Sequence, residues 1–125
     1  MPSDVEKIEK LTRQYFDLLY FADADLIPAC FHPEATVNNV DSGELIAIDM
    51  AGFAERIKTR QAPASIDEPR DDDLKTIDIA SPTTALVKVE VNILYARFFD
   101  YLTLLKRDGE WKIISKVFHR VRKEA

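Results

Sequence analysis

Residues 97–120, RFFDYLTLLKRDGEWKIISKVFHR, decide the fold. Two runs of strand-forming residues flank Asp108-Gly109, a pair that takes the positive φ angles of a tight hairpin turn. A hairpin this apolar needs a surface to cover one face, so the rest of the chain is read for that cover and for any pocket beneath it. Working back, Leu74 to Ile79 predicts a strand, Ser81-Pro82 a turn and Thr84 to Tyr95 a long strand. Ala85, Val87, Val89, Val91 and Ile93 alternate there with Lys88, Glu90 and Asn92, so one face is buried.

The cover lies upstream. Ser3 and Glu6 have the spacing of a capping box, and Val5, Ile8, Thr12, Tyr15, Leu19 and Ala22 recur at helical steps, widened by Leu11, Phe16 and Leu18. The pattern predicts an amphipathic helix to about Phe21. Asp23 and Asp25 can each cap a short second helix, with Pro28 favouring the later one. Ala35 to Val40 and Leu45 to Ile48 predict short strands across Asp41-Ser42-Gly43. Asp49 caps a third helix with Met50, Phe53, Ala54 and Ile57 on one face, and residues 61–73 predict a surface loop. Helices first and consecutive strands last predict an α+β fold, three N-terminal helices packed on one face of a mainly antiparallel sheet.

Composition limits the rest. The 125 residues predict a single domain, 1–125, with no internal repeat. A formal charge of −5 disfavours nucleic acid and anionic membranes as partners, and no window approaches the ~20 apolar residues of a spanning helix. Cys30 is the only cysteine, and with no export signal in view a cytoplasmic location is expected. No cluster has metal-ligand spacing and no phosphate-binding glycine loop is present, so neither a metal nor a cofactor is expected. Basic residues Lys106, Arg107, Lys112, Lys116, Arg120, Arg122 and Lys123 concentrate near the C-terminus, interrupted by acids, and are read as a solvated outer sheet face.

With Phe31-His32-Pro33-Glu34-Ala35, Phe99 to Leu105, Gly109 to Ile113 and Lys116-Val117-Phe118-His119 in place, the chain resembles the nuclear-transport-factor-2-like superfamily. Within it the chain is most similar to the family called putative lumazine-binding proteins. The resemblance implies a cone: three helices around a curved sheet that encloses a cavity. The superfamily also holds ketosteroid isomerases, with which residues 14–39 align without a gap. On that alignment Tyr15 falls where the isomerases have an oxyanion-hole tyrosine, Asn39 where they have the aspartate base, and Thr103, counted back from Trp111, where they have a second acid. An amide cannot act as a general base, so the resemblance argues against that isomerisation here.

These readings predict a homodimer binding a small, largely apolar molecule in a pocket lined by Tyr15, Leu19, Phe31, Val37, Asn39, Phe53, Ile57, Tyr101 and Thr103. The dimer is expected through an outer sheet face carrying Phe98, Leu102 and Leu104. A cofactor-independent isomerase, dehydratase or cyclase is the second reading, with Tyr15 as donor and His119 as base. A dimeric interaction module with a filled cavity is the third. His119 shares parity with Trp111, Ile113 and Val117, which sends it inward; a one-residue bulge would instead turn Phe118 and Arg120 inward. His32, before a proline at a helix end, is read as a carbonyl cap.

Overall fold

The computed structural model describes residues 2–123. Met1, Glu124 and Ala125 lie outside the described residues. Helix α1 (Asp4–Phe21) opens on the expected box: the Glu6 amide donates to Ser3 Oγ at 3.2 Å and the Ser3 amide to Glu6 Oε1 at 3.3 Å. Ile8, Leu11, Thr12, Tyr15, Phe16, Leu18 and Leu19 form its buried stripe. Asp23 caps a single 3-10 turn, Ala24–Leu26, which runs into the one-turn helix α2 (Ile27–Cys30). Asp25 caps nothing; its own amide is the group that Asp23 receives.

The strands are β1 (Phe31–Asp41), β2 (Glu44–Ile48), β3 (Asp72–Ser81), β4 (Thr84–Ile93), β5 (Ala96–Arg107) and β6 (Glu110–Arg122), with helix α3 (Met50–Thr59) between β2 and β3. They form one sheet in the order β2-β1-β6-β5-β4-β3, antiparallel except where β1 lies parallel to β6. That parallel pairing is why β1 starts four residues earlier than the sequence pattern suggests. The fold is α+β, as expected. Among the described residues, no helix is long and apolar enough to cross a membrane.

Two turns fix which side chains reach the interior. Asp108 and Gly109 have φ of 53° and 79°, and the two-residue turn pairs Trp111 with Lys106 and Glu110 with Arg107. Under that pairing the buried face of β6 at Trp111 and Ile113 meets the even-numbered face of β5. Phe98, Asp100, Leu102 and Leu104 therefore point inward, and Leu102 and Leu104 are fully buried. Tyr101 and Thr103 point outward, which corrects their expected place in the pocket; Tyr101 is 52% exposed. The same correction removes Phe98, Leu102 and Leu104 from the outer face, because apolar residues occupy both faces of this strand and only the turn register distinguishes them.

The second device is a bulge. Thr103 pairs with Ser115 but Leu104 pairs with Ile113, which leaves Ile114 as an extra residue. Beyond it the faces of β6 exchange: Lys116 and Phe118 turn inward while Val117 and His119 turn out. Asn38 latches this register, its Nδ2 reaching the Lys116 carbonyl at 3.2 Å, Thr36 Oγ1 at 3.1 Å and Ser115 Oγ at 3.4 Å.

The segment expected as a surface loop, residues 61–73, is docked, and its last two residues already belong to β3. It holds a 3-10 turn at Pro63–Ile66, and Arg70 pairs with Asp17 at 3.0 Å and Asp72 at 3.1 Å while lying 4.6 Å over the Tyr20 ring. Glu68 accepts from the Leu94 amide at 3.0 Å, and its carbonyl accepts from Tyr20 Oη at 2.7 Å. The Leu94-Tyr95 turn between β4 and β5 is held in this way at φ of 52° and 61°, left-handed for two non-glycine residues.

Candidate functional site

Tyr15 from α1, Asp100 from β5 and Lys116 from β6 meet between the helices and the sheet. Tyr15 Oη donates to Asp100 Oδ2 at 2.6 Å, in the range of a charge-assisted bond, and Lys116 Nζ lies 3.8 Å from the same oxygen. Asp100 is fully buried and its Oδ1 has no hydrogen-bond partner among the described residues. Burial, then the Asp100 charge and hydrogen bond, hold the Tyr15 hydroxyl well above the ordinary tyrosine range, so it stays a donor. Burial pulls Lys116 below the ordinary lysine value; Asp100 opposes this, and Arg60 and Arg56 add to it.

The cluster does not stabilise the fold. At 3.8 Å and an effective dielectric of about 20, the Asp100–Lys116 attraction is about 4 kcal/mol, against a desolvation cost of several kcal/mol for each ion. The orphaned Oδ1 adds about 1–3 kcal/mol of cost. Groups kept against stability in an interior mark a candidate site.

A chamber of about 20 Å³ adjoins the cluster, lined by Leu19, Val37, Phe53, Phe98, Lys116 and Phe118 together with Asp100, Arg56, Arg60 and Ile93. It has room for about one water molecule. Arg60, Ile93 and Phe98 also line an outer cleft of about 400 Å³, so these three stand between chamber and solvent. The cleft is walled by Arg60, Arg120, Arg122 and Lys123, with no acidic residue lining it among the described residues. This corrects the reading of the C-terminal basic residues as an outer sheet face: three of them join Arg60 at the mouth of the interior. Arg60 is half-buried and burial lowers its pKa. Asp41, 3.8 Å from Arg120, is the nearby acid.

Of the expected pocket residues, Leu19, Val37 and Phe53 line the chamber and Tyr15 lies beneath it. Phe31 and Ile57 are core; Phe31 packs between Tyr15 and Phe53 with tilted rings, at centroid distances of 6.0 and 5.2 Å. Asn39 is half-buried against Ile46 on β2 and does not line the chamber. His119 is exposed on the outer face, stacked on Phe99 at 6.5 Å, so the role of interior base is withdrawn from it. His32 accepts from the Glu34 amide at 3.0 Å through Nδ1 instead of capping a carbonyl. Sequence reasoning missed Asp100, Lys116, Arg56 and Arg60. Asp100 carried a signal, as a lone acid in an apolar strand; placing it inward required only the two-residue turn.

Another groove, of about 830 Å³, lies between α2 and the β5–β6 turn. Neither Asp100 Oδ1 nor Asn92 Oδ1, the buried side-chain oxygens without a partner among the described residues, faces it. Among the described residues, no group of His, Cys, Asp and Glu could hold a metal ion.

Comparison with known proteins agrees with this architecture. An NTF2-like protein of unknown function from Shewanella baltica superposes with a TM-score of 0.86 at 23% identity over 98% of this chain and 100% of that one. A second, from Silicibacter pomeroyi, gives 0.83 at 22% over 94% and 95%. A ketosteroid isomerase-like protein from Erwinia carotovora atroseptica gives 0.71 at 16% over 97% and 98%. Among curated proteins, Aldolase FrzH from a Cladobotryum species is 49% identical over 41 residues; the match spans 31% of this chain and 33% of that protein. The family model described as putative lumazine-binding matches residues 3–119, and the chain belongs to that family.

Proposed function

We propose that the cone binds a small molecule with an apolar body and an anionic group, the anion received by the arginines at the mouth and a carbonyl carried inward toward Lys116, a donor that lines the chamber. The observation that carries this reading is the basic cleft in a chain of net charge −5. Positive charge gathered against the sign of the whole molecule, beside a half-buried arginine, attracts anions at short range. The expected apolar ligand is thereby sharpened: Leu19, Phe53, Phe98 and Phe118 offer the apolar contact and Arg56 and Arg60 the polar one. Because the chamber holds about one water, the ligand enters by displacing Phe98 and Arg60. The aldolase name of the curated relative is consistent with a carbonyl substrate.

The test is calorimetry with benzoate and lactate against neutral benzamide and lactamide, with lumazine, named in the family description, as a further ligand. Carboxylates bind more tightly than the amides, and Arg60→Gln weakens them at least about tenfold, the loss of one charge-assisted hydrogen bond. Equal binding of acid and amide rejects the reading.

The outer sheet face supports a homodimer in corrected form. Tyr101, Leu105, Val117 and Val121 are each 44–52% exposed there. Sedimentation that returns only the monomer mass at micromolar concentration removes it. A cytoplasmic location remains our reading from the single buried, unpaired Cys30, and fractionation of the native host checks it.

A further inference from the structure

Anion binding uses the arginines at the mouth; it does not require the amine that lies behind them. The Lys116 side chain is 7% exposed, and among the described residues its Nζ has no hydrogen-bond acceptor, the nearest carboxylate oxygen being 3.8 Å away. Rings of Tyr15, Phe53 and Phe118 enclose it, with centroids 5.2, 5.5 and 5.1 Å from Nζ. A purely structural residue at this point would be apolar, because a buried ammonium with unmet donors is costly. Burial also favours its neutral form. The same residue lines the chamber that adjoins the cluster described above, and beside it Asp100 Oδ1 has no partner among the described residues and can accept a proton.

Building on the binding role above, we propose that Lys116 condenses with the carbonyl carbon of a small oxo acid to form an iminium inside the cone, with Asp100 carrying protons and Tyr15 fixing Asp100 in place. The step balances without any oxidant or reductant. The Lys116 ammonium gives a proton to Asp100, and the freed lone pair forms the C–N bond as the carbonyl π pair moves to oxygen. Asp100 returns its proton to that oxygen and takes a second from nitrogen. It then protonates the departing hydroxyl as the C–O bond breaks and the C=N bond closes. Ammonium plus carbonyl becomes iminium plus water, and Asp100 ends as a carboxylate. That carboxylate next removes a proton from the carbon beside the iminium, leaving an enamine, a carbon nucleophile. The reaction class is proton exchange or carbon–carbon bond formation and cleavage next to a carbonyl. A Lys116 held as a permanent cation by the rings and Asp100 forms no adduct, and the experiment separates the two.

The full-length chain is incubated with pyruvate in deuterium oxide while the methyl signal is followed by NMR, and in parallel with pyruvate and cyanoborohydride before mass spectrometry. The methyl protons exchange on the order of 10²-fold faster than in buffer, the scale of positioned acid–base catalysis. One reduced adduct forms and maps to Lys116. Both signals vanish in Lys116→Met and in Lys116→Arg, which keeps the charge and covers the case in which the methionine variant fails to fold. Adducts at surface lysines only, or exchange that persists in Lys116→Arg, overturn the covalent role. Lactate, which has the carboxylate but no carbonyl, distinguishes the two levels. Arg60-dependent lactate binding without a pyruvate adduct overturns the iminium and leaves the binding role standing. Neither binding nor adduct overturns both.

Discussion

Replacing Tyr15 by phenylalanine tests the central cluster with the smallest change. The ring stays, with its packing on Phe31 and Phe16 at 6.0 and 6.2 Å, and only the 2.6 Å donor to Asp100 is lost. Oδ1 is already unpartnered and Lys116 is 3.8 Å from Oδ2, so the buried carboxylate is left with no hydrogen bond. Bonds to charged groups contribute about 1.5–3 kcal/mol, and with m near 2 kcal/mol/M the urea midpoint falls by about 1 M. At this chain length, 2 kcal/mol corresponds to a drop in Tm of roughly 8 °C. Tyr20→Phe is the internal control: its hydroxyl donates at 2.7 Å to the Glu68 carbonyl, a neutral and part-buried acceptor, and its removal costs about 1 kcal/mol or less. Urea and thermal denaturation of both variants give the comparison. If Tyr15→Phe costs no more than Tyr20→Phe, Asp100 is satisfied in some other way and the cluster does not act as a unit.

Two further outcomes follow. Tyr95 sits at φ 61° and is 74% exposed, so Tyr95→Gly relieves left-handed strain without removing buried surface and raises stability by about 1 kcal/mol, read as an increase in Tm. Burial pushes the Cys30 thiol up to about 12 from an ordinary 9.0, with Lys112 opposing and Asp17 assisting. A raised folded pKa means that the stability from the neutral thiol is complete below 9.0 and is lost as pH rises through about 12. Cys30→Ser, measured against wild type between those limits, shows a flatter decline, and iodoacetamide labels Cys30 only after unfolding.

Much of the scaffold is legible in the sequence because it rests on local rules. The Ser3–Glu6 box, the Asp49 cap that the Gly52 amide joins at 2.9 Å, and the alternation of Ala85 to Ile93 each depend on residues close in the chain. The site is less legible because it depends on parity across a turn and past a bulge. Phe98, Leu102 and Leu104 compete with Phe99, Tyr101 and Leu105 for the inner face of β5, and hydrophobicity alone does not choose between them. Lys116 reads as surface on composition, and only the extra Ile114 places it inside. The ion pair of Lys106 with Asp4 at 3.0 Å, and the Trp111 Nε1 donor to the same oxygen at 3.0 Å, join the first turn of α1 to the last hairpin. No short-range pattern announces them.

The bulge at Ile114 also makes the end of β6 a case of frustration. A regular strand keeping all its residues would bury Val117 and Val121, now 50% and 44% exposed, and release Lys116 and Arg120 to water. The two valines, already half-buried, would each gain only half of the roughly 1.5–3 kcal/mol that full burial is worth, while Phe118, now packed against Phe98 at 5.9 Å, would be expelled, so apolar residues argue for both registers. Asn38, bonded to Lys116 O, Ser115 Oγ and Thr36 Oγ1, biases the choice toward the arrangement observed. The interior of this protein is therefore one of two alternatives written in the same thirteen-residue strand, and a single amide side chain on the neighbouring strand favours the one that carries an amine.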